Sequence, residues 1–124
     1  MWRALLVGIG GFIGSVARYW MSGAVQSLTG PSFPFGTLAV NVVGGFLLGA
    51  ILVLSLERNF VGPDLRLVLT VGVCGGFTTM STFSYETVEL MRDGELLASV
   101  WNMAGTVFAC CAAVWLGGLT ARLL

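Results

Sequence analysis

The sequence predicts an all-α membrane protein whose single domain, residues 1–124, consists of four transmembrane helices. Hydrophobic residues make up 56% of the chain and charged residues 10%, and the mean hydropathy is +0.93. A spanning helix needs about 20 mostly apolar residues, and four such runs alternate with short polar connections. These runs cover roughly residues 2–27, 35–56, 65–91 and 96–123.

The connections between the first three runs fix where the helices begin. Pro31 and Pro34 restrict their own backbone and that of the preceding residues, so the second helix is expected to start near Phe35. In the polar connection 57–64, Asp64 is the predicted N-cap of the third helix. A cleaved signal peptide is a less favoured alternative for the first run, because the remaining runs also need a bilayer.

The third run is interrupted where a membrane helix should be plain hydrocarbon. Gly75 and Gly76 precede five hydroxyl residues in the seven positions 78–84. In a bilayer, irregular backbone is tolerated only where it is buried in protein or lines a wet cavity. The sequence therefore predicts a broken third helix, with the break near residues 75–82 and a site beside it.

Small residues recur four positions apart in all four runs. Each set places a smooth strip on one helix face, which lets two backbones approach closely where the hydrophobic effect cannot drive association. We expect these strips to pack helices together. The sets are Gly10 and Gly14; Gly45 and Gly49; Gly72 and Gly76; and Gly105, Ala109, Ala113 and Gly117.

The charged residues exclude some partners and orient the chain weakly. The formal net charge is zero, and the six basic residues are all arginine, so neither a nucleic acid nor a polybasic lipid patch is expected. Four arginines fall on the side of the termini and two on the other side, which favours cytoplasmic termini. The difference is small enough to allow insertion in both orientations.

Polar residues with helical spacing occupy one face of the second and fourth helices. Asn102, Thr106 and Cys110 are four residues apart, as are Thr37 and Asn41. Taken singly, such residues most often make interhelical hydrogen bonds. Together with the broken third helix, they predict the lining of a narrow, water-accessible path.

Two charged residues inside the runs are candidates for supporting roles. Arg18 lies late in the first helix, where we expect it to snorkel to the interface. The alternative is that it forms an electropositive pore vestibule. Glu86 follows the predicted break closely enough to act there, although it can also simply approach water as the helix leaves the bilayer.

The residue set does not suit an enzyme. The chain has no histidine, no paired nucleophile and base, and no carboxylate dyad. Cys74, Cys110 and Cys111 fall in apolar runs and are expected to be small buried side chains instead of a disulfide or metal set. Neutral hydroxyl and amide groups suit a small, partly dehydrated ion, but they serve anions and cations alike.

Three segments resemble the small four-helix fluoride channels of the CrcB (Fluc) family over nearly the whole chain. They are residues 10–19, residues 35–44 and the opening of the broken helix, residues 74–84. The resemblance implies an antiparallel, dual-topology homodimer in the inner (plasma) membrane, with two pores that export fluoride passively from the cytoplasm. It also implies a structural sodium ion at the dimer interface, held by the backbone carbonyls of Gly75 and Thr78 of each subunit.

The resemblance also assigns the residues of the fluoride path. The family's pair of pore phenylalanines falls on Met80 and Phe83, so this chain departs from the pattern at the first position. A thioether is polarisable but lacks the electropositive edge of an aromatic ring. Cys110, where a hydroxyl is usual, is a milder departure. The other implied pore residues are Asn41, Ser81, Thr82, Asn102 and Thr106.

Two other functions are weighed against a channel. A small multidrug-type, proton-coupled exporter shares the chain length, the four helices and the dual topology. It needs a membrane-embedded glutamate in its first helix, however, and this helix has none. A non-transporting membrane subunit would use its polar faces only for assembly, which does not require a hydroxyl-rich break in a helix.

Overall fold

A computed structural model describes all 124 residues, and all of the secondary structure is helical. Five helices follow one another: α1 (Trp2–Thr29), α2 (Phe35–Leu56), α3 (63–77), α4 (Met80–Arg92) and α5 (Leu96–Leu123). Together α3 and α4 form one span, Pro63–Arg92, so four segments are long and apolar enough to cross a membrane. The expectation of four spanning helices is confirmed.

The span formed by α3 and α4 is irregular over most of its first half. After the α-helical turn Pro63–Leu67, the chain is π-helical over Val68–Cys74 and returns to an α-helical turn at Gly75–Phe77. A π-helix is rare and frequently lies at a functional site. The sequence pattern does not predict this π-helical segment.

The break itself is shorter than the predicted interval of residues 75–82. Only Thr78 and Thr79 leave the helix, with extended backbones at ψ 159° and ψ 117°. Thr79 then caps α4, because its hydroxyl oxygen accepts a hydrogen bond from Thr82 N at 3.3 Å. The chain therefore resumes its helix one residue later, at Met80.

The predicted N-cap of the third span is wrong. The helix begins at Pro63, Gly62 occupies the capping position, and no side chain caps it. Asp64 lies inside the first turn, where it forms an exposed ion pair with Arg3 at 3.2 Å. Proline suits the first helical position, since the N–H it lacks would have no partner there.

The first glycine seam joins α1 to α3. A methyl group placed on Gly10 would lie 3.0 Å from Gly72 Cα, and one placed on Gly76 would lie 3.1 Å from Gly11 Cα. One on Gly14 would lie 2.9 Å from Phe77 N. The two backbones therefore touch along this seam, as the small-residue spacing predicts.

The second glycine seam joins α2 to α5. A methyl group on Gly49 would lie 3.1 Å from Gly118 N, and one on Gly117 would lie 3.1 Å from Phe46 Cα. Gly105 differs, because nothing lies within 4 Å of such a methyl group there. The expected strip on α5 therefore packs at Gly117 but not at Gly105.

Side chains at both ends tie the bundle together. Gln26 holds the α1–α2 loop, since its amide nitrogen donates to Gly30 O at 2.6 Å and Phe33 O at 2.9 Å. At the end of α2, Glu57 pairs with Arg122 of α5 at 2.6 Å. The hydrogen bonds from Arg122 lower the pKa of the Glu57 carboxyl below its ordinary value.

Candidate functional site

A groove of about 350 Å³ runs between α2, the helix break and α5. None of its lining residues is charged, so its polarity comes from hydroxyl, amide, thiol and backbone groups alone. Five of the eight predicted path residues meet here, together with the two predicted sodium ligands, Gly75 and Thr78. Those that line the groove are Asn41, Gly75, Thr78, Met80, Phe83, Thr106 and Cys110.

Asn41 binds the broken backbone directly. Its amide oxygen accepts from Thr79 N at 2.8 Å, and its amide nitrogen donates to Thr79 O at 3.1 Å. This pair of bonds satisfies both polar backbone groups of Thr79, which the helix no longer serves. Because an amide nitrogen has two hydrogens, Asn41 keeps one donor beyond those it gives to the break.

Thr78 presents an uncommitted carbonyl at the break. Its N–H and its hydroxyl both donate to Cys74 O, each at 3.0 Å, while its own carbonyl oxygen accepts no hydrogen bond within the chain. Gly75 is exposed beside it, and a methyl group on Gly75 would meet nothing closer than Thr70 O at 3.8 Å. This corner of the groove is therefore open in a single chain.

Arg18 supports the break from the side of α1. Its Nε donates to Gly76 O at 3.0 Å, and the side chain is half-buried. One edge of the guanidinium is thus held by the protein at the break. The bond satisfies a carbonyl in the last turn of α3, where a helix leaves its final carbonyls without partners.

The four residues that follow the break point in different directions. Phe83 is buried against the groove, whereas Met80 is 72% exposed at its rim. Ser81 is exposed, and Thr82 is half-buried with its hydroxyl bonded to Thr79 Oγ1 at 3.0 Å. Within one chain, the predicted path residues Ser81 and Thr82 therefore do not line the groove.

The polar stripe of α5 continues as a buried hydrogen-bond chain into α4. Asn102 Nδ2 donates to Thr87 Oγ1 at 2.9 Å, and Thr106 Oγ1 donates to Asn102 Oδ1 at 3.3 Å. Thr87 in turn donates to Phe83 O at 2.8 Å. Asn102 thus lies behind the groove wall, and Thr106 is the member of the chain that faces the groove.

Thr37, on the polar face of α2, and Glu86 join α2 to α4. The Thr37 hydroxyl donates to Glu86 Oε1 at 2.8 Å, and Glu86 Oε2 is buried without a hydrogen-bond partner. Glu86 also borders a second cavity of about 380 Å³ beneath the α1–α2 loop, with Gln26 and Glu89 among its walls. The pair therefore lies at one mouth of the bundle, away from the groove.

A comparison with protein families shows which family the chain belongs to. Residues 5–118 match the family described as CrcB-like protein, Camphor Resistance (CrcB). The chain is a member of the CrcB family.

Several CrcB relatives align with it from end to end. One from Geobacter sulfurreducens is 46% identical over 100% of both chains. Relatives from Geotalea daltonii (47%, covering 98% of each chain) and Chlorobaculum tepidum (50%, covering 99% of this chain and 97% of the relative) agree. All three are described as fluoride-specific ion channel FluC.

Three residues that organise this CrcB chain are not predicted from its sequence pattern: Gln26, Thr79 as the backbone partner of Asn41, and Thr87. Thr87 could have been found, because it and Asn102 lie at nearly equal distances along the chain on either side of the turn at Gly94. Two antiparallel helices joined by a tight turn bring such residues to the same level.

Proposed function

We propose that the chain forms a fluoride-selective channel that lets fluoride leave the cytoplasm passively. The observation that carries this proposal is the 46% identity with a fluoride-specific ion channel over the whole of both chains. A channel performs no bond chemistry, so the chain is not an enzyme, in agreement with relatives that are described as fluoride-specific ion channels.

The chemistry of the groove supports a small anion. Hydroxyl, amide and aromatic groups can replace part of an ion's water without burying a charge, and the groove holds no acidic residue that would repel an anion. Asn41 supplies a free N–H, and the edge of the Phe83 ring is electropositive. Since no carboxylate, histidine or lysine side chain lines the groove, flux follows the fluoride gradient without coupling to protons.

Two antiparallel copies complete the groove in this proposal, giving two pores per dimer. Met80 and Gly75 lie on the open side of a single chain, where a second copy can cover them. The weak arginine bias suits insertion in both orientations. The dimer belongs in the inner (plasma) membrane, where it can release fluoride directly from the cytoplasm.

A structural sodium ion fits the residues at the break. The carbonyl of Thr78 is free of internal hydrogen bonds, and Gly75 is exposed next to it. Two such carbonyls from each copy would surround a cation with four neutral oxygens. When bound, the ion supplies the positive charge that holds two broken helices together, and Asn41 and Arg18 keep the backbone in place around it.

Fluoride efflux from liposomes that contain the purified full chain tests the proposal. We expect rapid fluoride release down its gradient, unchanged when a protonophore abolishes any pH gradient, with chloride release at the level of empty liposomes. Absence of fluoride release with ordinary chloride flux would overturn it. Release that stops with the pH gradient would point to a proton-coupled exporter.

The variant Met80→Phe restores the family's pair of rings and measures what the thioether contributes. Because Met80 lies at the rim of the groove and Asn41 and Phe83 remain, we expect both the native chain and the variant to conduct, with rates within about tenfold of each other. A native chain that is inactive until Met80 is replaced would show that this position is indispensable.

A further inference from the structure

The hydrogen-bond chain between α4 and α5 is buried, and only Thr106 borders the groove. Asn102 is 1% exposed, Thr87 5% and Thr106 6%. The side-chain polar atoms of Asn102 and Thr87 must therefore find their partners among their neighbours, because a buried donor or acceptor without one is costly. Few arrangements of the hydrogen bonds satisfy all of these donors and acceptors.

The direction of hydrogen bonding along this chain is fixed from one end. Phe83 O is a carbonyl and can only accept, so the single hydroxyl hydrogen of Thr87 points to it at 2.8 Å. Thr87 Oγ1 can then only accept from Asn102, which must present its NH₂ group at 2.9 Å. The Asn102 carbonyl consequently faces Thr106, which donates its own hydroxyl hydrogen at 3.3 Å.

This direction matters because Thr106 lines the groove. Its one hydroxyl hydrogen points into the bundle, so its oxygen offers the groove lone pairs and no donor. An anion, in contrast, is bound by hydrogen-bond donors. We propose that Thr87 is a positioning residue that keeps the hydroxyl hydrogen of Thr106 away from the permeating anion and so weakens anion binding at this point of the path.

The inference rests on the proposed fluoride channel and adds a specific reason for fast passage. An ion must bind well enough to enter and weakly enough to leave. With the hydroxyl hydrogen of Thr106 turned inward, the groove has one donor fewer than its residue composition suggests. Thr87, which touches neither the groove nor the ion, controls this donor through Asn102.

Replacing Thr87 by valine preserves its shape but removes the acceptor. The Asn102 NH₂ group would then face a methyl group, and buried orphan N–H groups are tolerated less well than under-satisfied carbonyls. We expect the amide to turn over and donate to Thr106 Oγ1 instead. The hydroxyl hydrogen of Thr106 is then free to point into the groove.

The test measures fluoride efflux from liposomes against internal fluoride concentration. Thr87→Val should lower the concentration for half-maximal flux roughly tenfold, the effect of one added charge-assisted hydrogen bond. Thr87→Ser keeps the hydroxyl and should match the native chain. In Thr87→Val/Thr106→Val the shift should vanish, since the released donor is gone.

Asn102→Leu provides a second route to the same state, because it also frees the Thr106 hydroxyl, and it keeps the test valid should Thr87→Val fold poorly. An unchanged or raised half-maximal concentration in the variants that fold would overturn the inference, as would a shift that persists without Thr106. A native chain that passes no fluoride would remove the proposed function itself, a separate result from a native chain that conducts while its variants show no shift.

Discussion

Two glycines at nearly the same depth of the bundle have opposite surroundings. Gly14 lies in the first seam, where an added methyl group would be 2.9 Å from Phe77 N. Gly75 lies at the helix break, where the nearest atom to such a group would be Thr70 O at 3.8 Å, an ordinary contact. Both belong to glycine-rich stretches of hydrophobic runs, and only their neighbours distinguish them.

Gly14 is needed for packing within the chain, whereas Gly75 faces open space in a single chain. A seam glycine is required because another backbone already occupies the space of its side chain. No such neighbour explains Gly75, so its smallness serves something outside the chain, in our proposal a cation and a second copy. Substitutions in the glycine seams should therefore destabilise the fold, whereas a substitution at Gly75 should impair assembly.

Gly14→Ala should have the largest effect. The methyl group would collide with backbone atoms of Val73 and Phe77, which cannot move aside as a side chain can, so we expect destabilisation of about 3 kcal/mol or more. The fraction of protein that stays monodisperse in detergent after heating measures this. Gly8→Ala, on the same helix with nothing within 4 Å, should behave like the native chain, and equal behaviour of the two variants would refute the seam.

Gly75→Ala should leave the fold intact and impair assembly. Within one chain the methyl group fits, so helix content by circular dichroism should be native, whereas the dimer fraction and the fluoride flux should each fall at least about tenfold. Sedimentation in detergent with and without sodium gives the assembly state. A native dimer with native flux would mean that the open corner at Gly75 is not an interface.

Asn41→Ala should have an intermediate effect, confined to the break. Loss of the amide leaves Thr79 N–H without its partner, a cost of about 1–3 kcal/mol, and removes the free donor from the groove. We expect a folded protein with at least about tenfold slower fluoride efflux. Thr120→Ala removes an exposed hydroxyl that bonds only to Leu116 O and serves as the control; equal flux in the two variants would contradict the assigned role of Asn41.

Glu57→Gln should have the smallest effect, because the pair with Arg122 is largely exposed. Arg122 lowers the pKa of Glu57 in the folded state, so its contribution to stability is present above the ordinary carboxyl pKa and is lost as the pH falls through the folded value. The native chain should melt slightly higher than the variant at pH 7 and no higher at acid pH. A difference that grew on acidification would have the wrong sign.

The elements that the sequence predicts are those encoded by local composition. Four apolar runs have the length of spans, and Gly75 followed by closely spaced hydroxyls marks the break without any knowledge of neighbours. The π-helical segment Val68–Cys74 carries no such mark. Its backbone packs against α1 at Gly10, so its geometry depends on a tertiary contact that composition does not contain.

The residues of the site are likewise predictable only where local spacing, and not a tertiary contact, defines them. Asn41 can be chosen from its helical spacing, but its partner at Thr79 lies 38 residues away and emerges only when α2 packs beside the break. Asn102 and Thr106 are predicted together because they are one turn apart. Nothing in the sequence distinguishes Thr87 from other threonines, because its role in orienting the Asn102 amide depends on contacts in the folded bundle.

The two-residue break has an electrostatic consequence of its own. Every peptide dipole in a helix leaves partial positive charge at the amino end and partial negative charge at the carboxyl end. At Thr78 and Thr79 the carboxyl end of α3 and the amino end of α4 meet in the middle of one span. One interruption therefore provides two weak fields of opposite sign within a few ångströms, one suited to a cation and the other to an anion, without a formal charge in the groove.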